Sequence, residues 1–409
     1  MANVLLVSLD ENYYQPLGIA SVSSVLKSNG HSVRMIDGSI QSFKFKEDFN
    51  DLDLIAVSIP VFGALWKTMR FIRELRFYTD IPLFVYNQYA SFNQALFKKF
   101  PACYVLLGAY ETLLLKIADY MDKKQNYLHL IDNKITNAWL KDNKFFIPDR
   151  TNLPPLINYE KFRNKITGNL ELMRGCAHKC AYCSVSACYN GQARSFPLDI
   201  IAADVAQVYS LGAKHITFVD ADHFSIGNIG LKFIEDLKKI YPDLMFDLTA
   251  RADDIVKYAD KISSYKNLGC IEITVAMEFP KEDVLAAINK KMQIETIYNA
   301  VDILNKNGID IKPTFIVFNP WVTYEDIIDF DNFLKKLGLF NCVDELQKQT
   351  RLLLFKGSSL LMREDIKQLI TKEHETYYEW RHPDSRVEEL YYAKTKNNDM
   401  TKVKCCIKG

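Results

Sequence analysis

Residues 169–183, NLELMRGCAHKCAYC, place three cysteines in a C-x3-C-x2-C spacing directly after a predicted strand. Such close spacing lets one loop wrap a single metal centre, while the register lacks the fourth cysteine that would close a structural tetrahedral site. Three soft thiolates suit an iron–sulfur cluster, because each can bind one iron of a cubane and leave the fourth iron open to a substrate. The stretch therefore predicts a metal centre on Cys176, Cys180 and Cys183.

Two other interpretations of these cysteines are open. The loop could be a zinc knuckle with His178 as the fourth ligand, or its thiols could be buried and unpaired. Cys188 lies close enough in sequence to be a further ligand, or it is a packed thiol. The position of the loop at a strand end, where α/β barrels place their chemistry, favours the cluster.

Strand and helix patterns alternate from about residue 168 to residue 320. The predicted strands are Asn169–Met173, His215–Val219, Met245–Thr249, Ile271–Ala276 and Lys312–Phe318. The predicted helices are Asp199–Tyr209, Gly230–Ile240, Asp253–Tyr265, Lys281–Lys290 and Ile297–Lys306. This order predicts a partial (β/α)6 barrel with its chemistry at the carboxyl ends of the strands.

The first 120 residues alternate in the same way, with shorter units. Apolar runs typical of buried strands are Val4–Leu9, Ser32–Ile36, Leu54–Ile59, Leu83–Tyr86 and Tyr104–Leu107. Helical spacing is found in Ile19–Lys27, Trp66–Tyr78 and Phe92–Phe97. The pattern predicts an α/β fold with an N-terminal doubly wound, Rossmann-like sheet ahead of the barrel.

These patterns divide the chain into four parts. Residues 1–125 are the Rossmann-like domain, and 126–165 are a linker in which Pro148, Pro154 and Pro155 favour extended backbone. Residues 166–345 are the partial barrel, and 346–409 are a C-terminal extension with adjacent cysteines at its end.

Composition excludes several classes of protein. The 409 residues include 51 basic and 50 acidic side chains, and the formal charge of +1 gives no global field for nucleic acid or anionic membrane. The apolar runs are far too short to span a bilayer, and the N-terminus lacks the pattern of a signal peptide. Nine cysteines without a disulfide-like framework favour a reducing, cytoplasmic location.

The cysteine loop, with the aromatic Tyr182 beside its last cysteine, resembles the cluster motif of the radical S-adenosylmethionine (SAM) superfamily. The resemblance implies a [4Fe–4S] cluster on Cys176, Cys180 and Cys183, with SAM chelated at the open iron. It also implies an electron donor such as flavodoxin or ferredoxin, which starts the reductive cleavage of SAM. The cofactor then carries the difficult chemistry, and the protein orients and shields it.

The same resemblance suggests residues that bind SAM at later strand ends. Asp220 and Asp222 are candidates for the SAM amino group, Arg251 for its carboxylate and Glu278 for its ribose, and Trp321 is a candidate for stacking on adenine. The alternative for the four charged residues is that they are exposed loop charges. Trp321 could equally be a packed core residue.

The N-terminal part resembles the cobalamin-binding modules that are attached to many radical SAM enzymes. The resemblance rests on Tyr14–Ala20, which leads into a turn at Asn29-Gly30-His31. No D-x-H-x-x-G motif occurs, so an axial histidine on cobalt is not predicted, and Tyr86–Ala90 lacks a glycine pair. Cobalamin is therefore a candidate cofactor, and a retained scaffold is the alternative.

The chain also resembles the radical SAM proteins with cysteine-containing tails, the CUAEP/CCAEP and RCCLKC groups. The matching segments are Asp53–Pro60, Asn152–Leu156, Tyr189–Gly191, His215–Phe218, Pro313-Thr314 with Pro320-Trp321, and Arg381–Val387. The RCCLKC group includes the enzyme of arsinothricin biosynthesis, which joins the 3-amino-3-carboxypropyl group of SAM to trivalent arsenic. This chain ends KCCIKG, which keeps the adjacent cysteines and departs from RCCLKC in its first and last residues.

Adjacent thiols can present two soft donors to one thiophilic atom such as As(III). Three lysines around Cys405 and Cys406 would favour their thiolates, although two incidental thiols on a frayed terminus are the alternative. We therefore expect a radical SAM enzyme that transfers the aminocarboxypropyl group to a small-molecule acceptor such as arsenite, with Cys405 and Cys406 as catalytic residues. The alternatives are a cobalamin-dependent methyltransferase acting on carbon or phosphorus, and a non-catalytic metal or electron carrier. Neither nucleic acid nor a membrane is an expected partner.

Overall fold

The structure of the protein is a computed structural model, and the residues described are 1–45, 48–131, 144–225, 227 and 229–395. The described residues form two compact units. The first unit contains Met1–Glu171 and Arg194–His215. The second contains Leu172–Ala193 and the described residues from Ile216 onward.

The first unit is built on a five-stranded sheet. Its strands are β1 (Asn3–Ser8), β2 (Ser32–Asp37), β3 (Leu54–Ser58), β4 (Leu83–Tyr86) and β5 (Cys103–Val105). They pair in parallel in the order β2-β1-β3-β4-β5, so the predicted doubly wound sheet is confirmed. The helices are α1 (Leu17–Ser28), α2 (Phe62–Leu75), α3 (Gln88–Phe92), α4 (Gln94–Phe97) and α5 (Tyr110–Asp122). The predicted single helix Phe92–Phe97 is wrong, because the chain breaks at Asn93 between α3 and α4.

The core of the first unit follows from the apolar runs of its central strands. Leu6 of β1 and Phe84 of β4 are fully buried and pack with Leu26 of α1 and Leu114 of α5. Burying a side chain of this size stabilises the fold by about 1.5–3 kcal/mol relative to leaving it in water. A short antiparallel hairpin, β6 (Lys161–Phe162) and β7 (Lys165–Leu170), follows in the chain.

The segment that carries the cysteines begins with β8 (Met173–Gly175) and α6 (Ser184–Tyr189), which belong to the second unit. It is followed by β9 (Ala193–Ser195) and α7 (Leu198–Ser210). The predicted strand Asn169–Met173 is wrong in extent, since the chain leaves the strand conformation between Leu170 and Met173.

The second unit continues with parallel strands and helices. The strands are β10 (His215–Phe218), β11 (Met245–Arg251), β12 (Cys270–Glu278) and β13 (Asp310–Phe315), in the order β13-β12-β11-β10. The helices are α8 (Ile229–Ile240), α9 (Ala252–Lys257), α10 (Ala259–Asn267), α11 (Glu282–Ala287), α12 (Ile294–Lys306) and α13 (Tyr324–Lys336). This alternation confirms the predicted partial barrel. The predicted helix Asp253–Tyr265 is divided at Tyr258.

A small antiparallel sheet completes the described part of the second unit. It contains β14 (Leu354–Phe355), β15 (Ile370–Glu373) and β16 (Tyr377–Trp380), in the order β14-β16-β15. The helices α14 (Glu364–Lys367) and α15 (Ser385–Thr395) accompany it. Short 3-10 turns lie at Leu128–Leu130, Leu156–Asn158, Phe340–Cys342, Gln347–Gln349 and Ser359–Met362. In the described ranges, every helix falls short of the length and apolarity that crossing a bilayer requires.

Candidate active site

The cysteine loop begins at a glycine that no other residue can replace without strain. Gly175 ends β8 with φ at +92°, and a Cβ there would lie 2.2 Å from the carbonyl oxygen of Gln192. The backbone N–H of Cys176 donates to the same oxygen at 3.0 Å. The glycine therefore lets the two backbone segments meet and fixes the direction in which the loop leaves the strand.

The three thiols of the loop have different hydrogen-bond partners. The sulfur of Cys176 lies 3.4 Å from the hydroxyl of Ser225, and the sulfur of Cys180 accepts from the Arg251 guanidinium at 3.3 Å. Cys183 accepts from backbone N–H groups at the start of α6. Burial raises the pKa of Cys176 and brings that of Cys183 to about 11. A metal ion that coordinates such thiols deprotonates them, so this donor set suits a cation.

His178, in the middle of the loop, connects it to two later strand ends. Its Nε2 lies 3.2 Å from a carboxylate oxygen of Asp222 and 3.1 Å from one of Asp254. Burial alone would lower the pKa of His178, but its hydrogen bonds to the two carboxylates raise it to about 9. These three groups lie close enough to hold a metal ion, yet the imidazolium already supplies the positive charge. Because both carboxylates bind Nε2, a zinc knuckle would have to use Nδ1 of His178, and that interpretation stays a prediction.

The two aspartates that follow β10 hold the loop and its approach. Asp220 accepts from the backbone N–H groups of Leu172 and Met173 at 2.8 and 2.9 Å, and it is buried. Asp222 accepts from the Ser225 hydroxyl at 2.9 Å and from the backbone N–H of Arg251 at 3.3 Å. Asp220 therefore fixes the backbone just before the cysteine loop, and Asp222 fixes Ser225, which contacts Cys176.

Arg251, the last residue of β11, has a buried guanidinium with four occupied donors. Two N–H groups form a fork to Asp253 at 2.9 Å each, one reaches Cys180, and one donates to the backbone carbonyl of Lys290 at 2.5 Å. Burial opposes the charge, but the hydrogen bonds to Asp253 raise the pKa of Arg251.

Glu278 ends β12 in a conformation that is rare for a residue with a side chain. Its φ is +62°, and the pairing register of β12 with β13 shifts just before it. Its Oε1 accepts from the Lys290 ammonium at 2.6 Å and from the Tyr182 hydroxyl, so a residue of the cysteine loop reaches the third strand end. The strained backbone is maintained where the side chain is held by a buried ion pair.

Trp321, which follows β13 in the chain, packs with the small antiparallel sheet. Its indole N–H donates to Asp365 at 3.1 Å, and the Arg363 guanidinium lies 5.4 Å from the centre of its ring. Trp321 and Tyr182 both contact a cluster of buried side chains that includes Trp380. The surroundings of Trp321 are therefore those of a packed residue. The stacking of Trp321 on adenine stays a prediction.

A second group of polar residues lies at the carboxyl edge of the five-stranded sheet in the first unit. Among the buried side-chain atoms that have no hydrogen-bond partner within the described residues, three belong to this group: Ser8 Oγ, Glu11 Oε1 and Gln88 Oε1. Burial, followed by repulsion from Asp37 and Asp10, raises the pKa of Glu11 well above its ordinary value. Ligands of doubly wound folds bind at this edge, and orphan polar atoms there suit a polar ligand.

The comparison with known families is decisive for the second half of the chain. Residues 170–334 match the radical SAM superfamily. This part of the chain is a radical SAM domain. It contains all three cysteines of the loop and the ends of β10, β11, β12 and β13. The match confirms the expectation of an enzyme domain and of SAM with a [4Fe–4S] cluster as its cofactors.

Curated relatives of the radical SAM domain include two kinds of methylthiotransferase. The tRNA-2-methylthio-N(6)-dimethylallyladenosine synthase of Fusobacterium nucleatum is 26% identical over 270 residues, which cover 61% of this chain and 56% of that protein. The ribosomal protein uS12 methylthiotransferase RimO of Carboxydothermus hydrogenoformans is 27% identical over 206 residues, covering 45% and 44%. The chain thus spans about half the length of these relatives.

Two solved structures share the fold over most of the chain. The cobalamin-dependent SAM radical enzyme OxsB superposes with a TM-score of 0.75 at 17% identity, over 96% of this chain and 66% of that chain. The radical SAM methyltransferase TsrM of Kitasatospora setae gives a TM-score of 0.65 at 14% identity, over 83% and 74%. At these identities the likeness bears on the fold, and it confirms the predicted fold class.

Within the radical SAM domain, the predicted residues converge on the cysteine loop. Asp222 and Arg251 contact loop residues directly, Glu278 contacts Tyr182, and Asp220 holds the start of β8. Cys405 and Cys406 lie outside the described residues.

Sequence reasoning did not assign roles to Asp254, Lys290 or Ser225, each of which contacts a residue of the site. Only Asp254 had a signal, because it stands in the helix turn directly after Arg251.

Proposed function

We propose that this protein is a radical SAM enzyme that cleaves SAM reductively and transfers a SAM-derived group to a small molecule. The observation that carries the proposal is the set of three thiols on one loop of a radical SAM domain, each with its own hydrogen-bond donor. Cys176, Cys180 and Cys183 would bind the [4Fe–4S] cluster. The electron donor, a flavodoxin or ferredoxin, remains a prediction.

The donor set fits a cluster that leaves one iron open. Arg174–Cys183 contains three thiols and no fourth, and His178 is engaged by carboxylates. When bound, such a cluster supplies the electron that breaks a carbon–sulfur bond of SAM. The side chains around the loop then have the task of fixing the thiolates and excluding water, for which their burial is suited.

Among the side chains expected to bind SAM, Glu278 has the arrangement that suits the role best. Both of its hydrogen bonds, from Lys290 and Tyr182, are to Oε1, so Oε2 is the oxygen that could accept from a ribose hydroxyl. Asp220 holds the loop through Oδ1, and its buried Oδ2, which has no hydrogen-bond partner among the described residues, is the second oxygen that could accept from SAM. Asp222 would act mainly by holding the loop, and Arg251 has four of its five N–H groups engaged. Trp321 is proposed for adenine only in second place, since it packs with Arg363.

Anaerobic reconstitution with iron and sulfide tests the assignment of the cluster. We expect wild-type protein to bind both and to show the visible absorbance of a cluster that changes when SAM is added. Cys180→Ser should lose most of the iron and sulfide, whereas Cys342→Ser, at an exposed thiol of the same unit, should retain both. Zinc without sulfide in the wild-type protein, or equal cluster content in the two variants, contradicts the proposal.

The finer form favoured by the fold is cobalamin-dependent methyl transfer to carbon or phosphorus. OxsB was solved with aqua-cobalamin and SAM bound, and TsrM with cobalamin and a [4Fe–4S] cluster bound. Ser8, Glu11 and Gln88 provide buried polar atoms that fit the amide-rich rim of a corrin, at the carboxyl edge of the five-stranded sheet. Without a D-x-H-x-x-G motif, no histidine of that kind would bind cobalt. Corrin absorbance in protein reconstituted with cobalamin, and S-adenosylhomocysteine among its products, are the expected results.

The second form is transfer of the aminocarboxypropyl group to trivalent arsenic. The adjacent Cys405 and Cys406 favour it, because two thiols can bind one thiophilic atom. In this reaction methylthioadenosine leaves SAM and a carbon–arsenic bond forms. Incubation with arsenite and carboxyl-labelled SAM should therefore release methylthioadenosine and carry label into an arsenic compound. A product mixture with 5′-deoxyadenosine alone would count against both transfer reactions.

A further inference from the structure

The three cluster ligands proposed above differ in the charge of their hydrogen-bond donors. The sulfur of Cys180 accepts from the guanidinium of Arg251 at 3.3 Å, whereas that of Cys176 accepts from the neutral backbone N–H of His178 at 3.5 Å. Cys183 faces backbone N–H groups. Only one of the three thiols, among the residues the structure describes, therefore accepts a hydrogen bond from a full positive charge.

The carboxylate that pairs with Arg251 cancels this charge only in part. The Arg251 side chain is 5% exposed, while the side chain of its partner Asp253 is 31% exposed. Water around Asp253 screens the negative charge, and the buried guanidinium remains close to the sulfur with little screening. The Arg251–Asp253 pair has no net charge, but it still produces a positive electrostatic potential at the sulfur of Cys180.

Lys290 fixes the guanidinium from the opposite side. Its backbone carbonyl accepts from Arg251 at 2.5 Å, and its ammonium, 2% exposed, binds Glu278 at 2.6 Å. Because Glu278 is buried as well, this second pair is nearly neutral as seen from the cluster ligands. Lys290 should thus act on Cys180 mainly through the orientation of Arg251.

We propose that Arg251 is a positioning residue that raises the reduction potential of the cluster through its hydrogen bond to Cys180. Reduction adds one electron from a low-potential donor, and it makes and breaks no covalent bond. A fixed cation and a hydrogen bond to a ligand sulfur both favour the more negative, reduced form. The inference rests on the proposed function, and it gives Arg251 a role different from binding the SAM carboxylate.

The test is a redox titration of the anaerobically reconstituted full chain, without SAM, in which the reduced cluster is measured by electron paramagnetic resonance. For Arg251→Gln we expect the ratio of reduced to oxidised cluster at a fixed potential to fall at least tenfold, which is about 59 mV for one electron. Arg251→Lys should recover part of the loss, because it keeps the charge without the rigid fork. Lys290→Gln should give a smaller decrease.

Lys306→Gln is the matched control, because it removes one positive charge from the same unit at a side chain that is 72% exposed. Solvent screening should leave its potential unchanged. Unchanged potentials in Arg251→Gln and Arg251→Lys overturn the inference, as does a shift of equal size in Lys306→Gln. If Arg251→Gln holds no cluster, the other two site variants carry the test, and failure of all three to bind a cluster assigns Arg251 a purely structural role. Absence of a cluster from the wild-type protein contradicts the proposed function itself.

Discussion

Replacing Gly175 by alanine should remove the cluster while leaving the rest of the fold intact. The left-handed conformation of this residue costs an alanine about 1–2 kcal/mol. In addition, the new Cβ at 2.2 Å from the Gln192 carbonyl oxygen must displace backbone, which breaks the hydrogen bond from Cys176 and costs about 1–3 kcal/mol. The sum of about 2–5 kcal/mol applies to the loop that holds the thiols, and it corresponds to a loss of cluster affinity of roughly thirtyfold or more.

Iron and sulfide content after reconstitution, and the rate of iron loss to a chelator, measure this effect. Gly308→Ala is the matched control, since Gly308 also has a positive φ of +63° but its nearest neighbouring atom lies 3.9 Å from the new Cβ. It should lose about 1 kcal/mol of unfolding free energy and keep its cluster. If Gly175→Ala retains iron as firmly as Gly308→Ala, the close approach of Gly175 to the Gln192 carbonyl does not determine the conformation of the cysteine loop.

Three further substitutions have expected outcomes. Arg150→Met leaves the buried Asp204 without its fork of 2.6 and 2.8 Å, so we expect a loss of about 3–5 kcal/mol in denaturant unfolding, partly restored by adding Asp204→Asn. Asp220→Ala removes the acceptor of two backbone N–H groups at the start of β8, and we expect lower iron content after reconstitution with unchanged circular dichroism. Cys188→Ser should bind as much iron and sulfide as wild type, because Cys188 lies outside the C-x3-C-x2-C register; a proportional loss of iron would make it a ligand.

Local signals in the sequence were sufficient for the two main sheets. The runs around Leu54 and Leu83 are continuous and apolar because their strands are buried on both faces, and such runs identify parallel strands without knowledge of their partners. The break between β7 and β8 could not be predicted in this way. There the backbone N–H groups bind the carboxylate of Asp220, which lies 47 or 48 positions away in the sequence.

The residues of the site also differ in whether a local sequence signal or only a contact between distant residues identifies them. Cys176, Cys180 and Cys183 are identified by spacing alone, because one short loop must bring all its ligands to one centre. Lys290 follows a short helix and carries no motif, and it reaches the site through its ion pair with Glu278, which ends the preceding strand in a left-handed conformation. The small sheet around Trp380 was also missed, since its strands are only two to four residues long.

The hydrogen-bond partners of the charged site residues determine which roles known from the family they can have in this chain. A family comparison transfers positions, and the positions at the ends of β10, β11 and β12 do converge on the cysteine loop. However, Asp222 and Arg251 engage most of their hydrogen-bonding capacity inside the protein, so the same position can support the cluster instead of contacting SAM. Because a buried charge without a partner is costly, such internal pairs must form before any ligand binds. The role of each charged residue at this edge is therefore determined by which of its atoms remain available after the loop has been fixed, a condition that Glu278 Oε2 and Asp220 Oδ2 both meet.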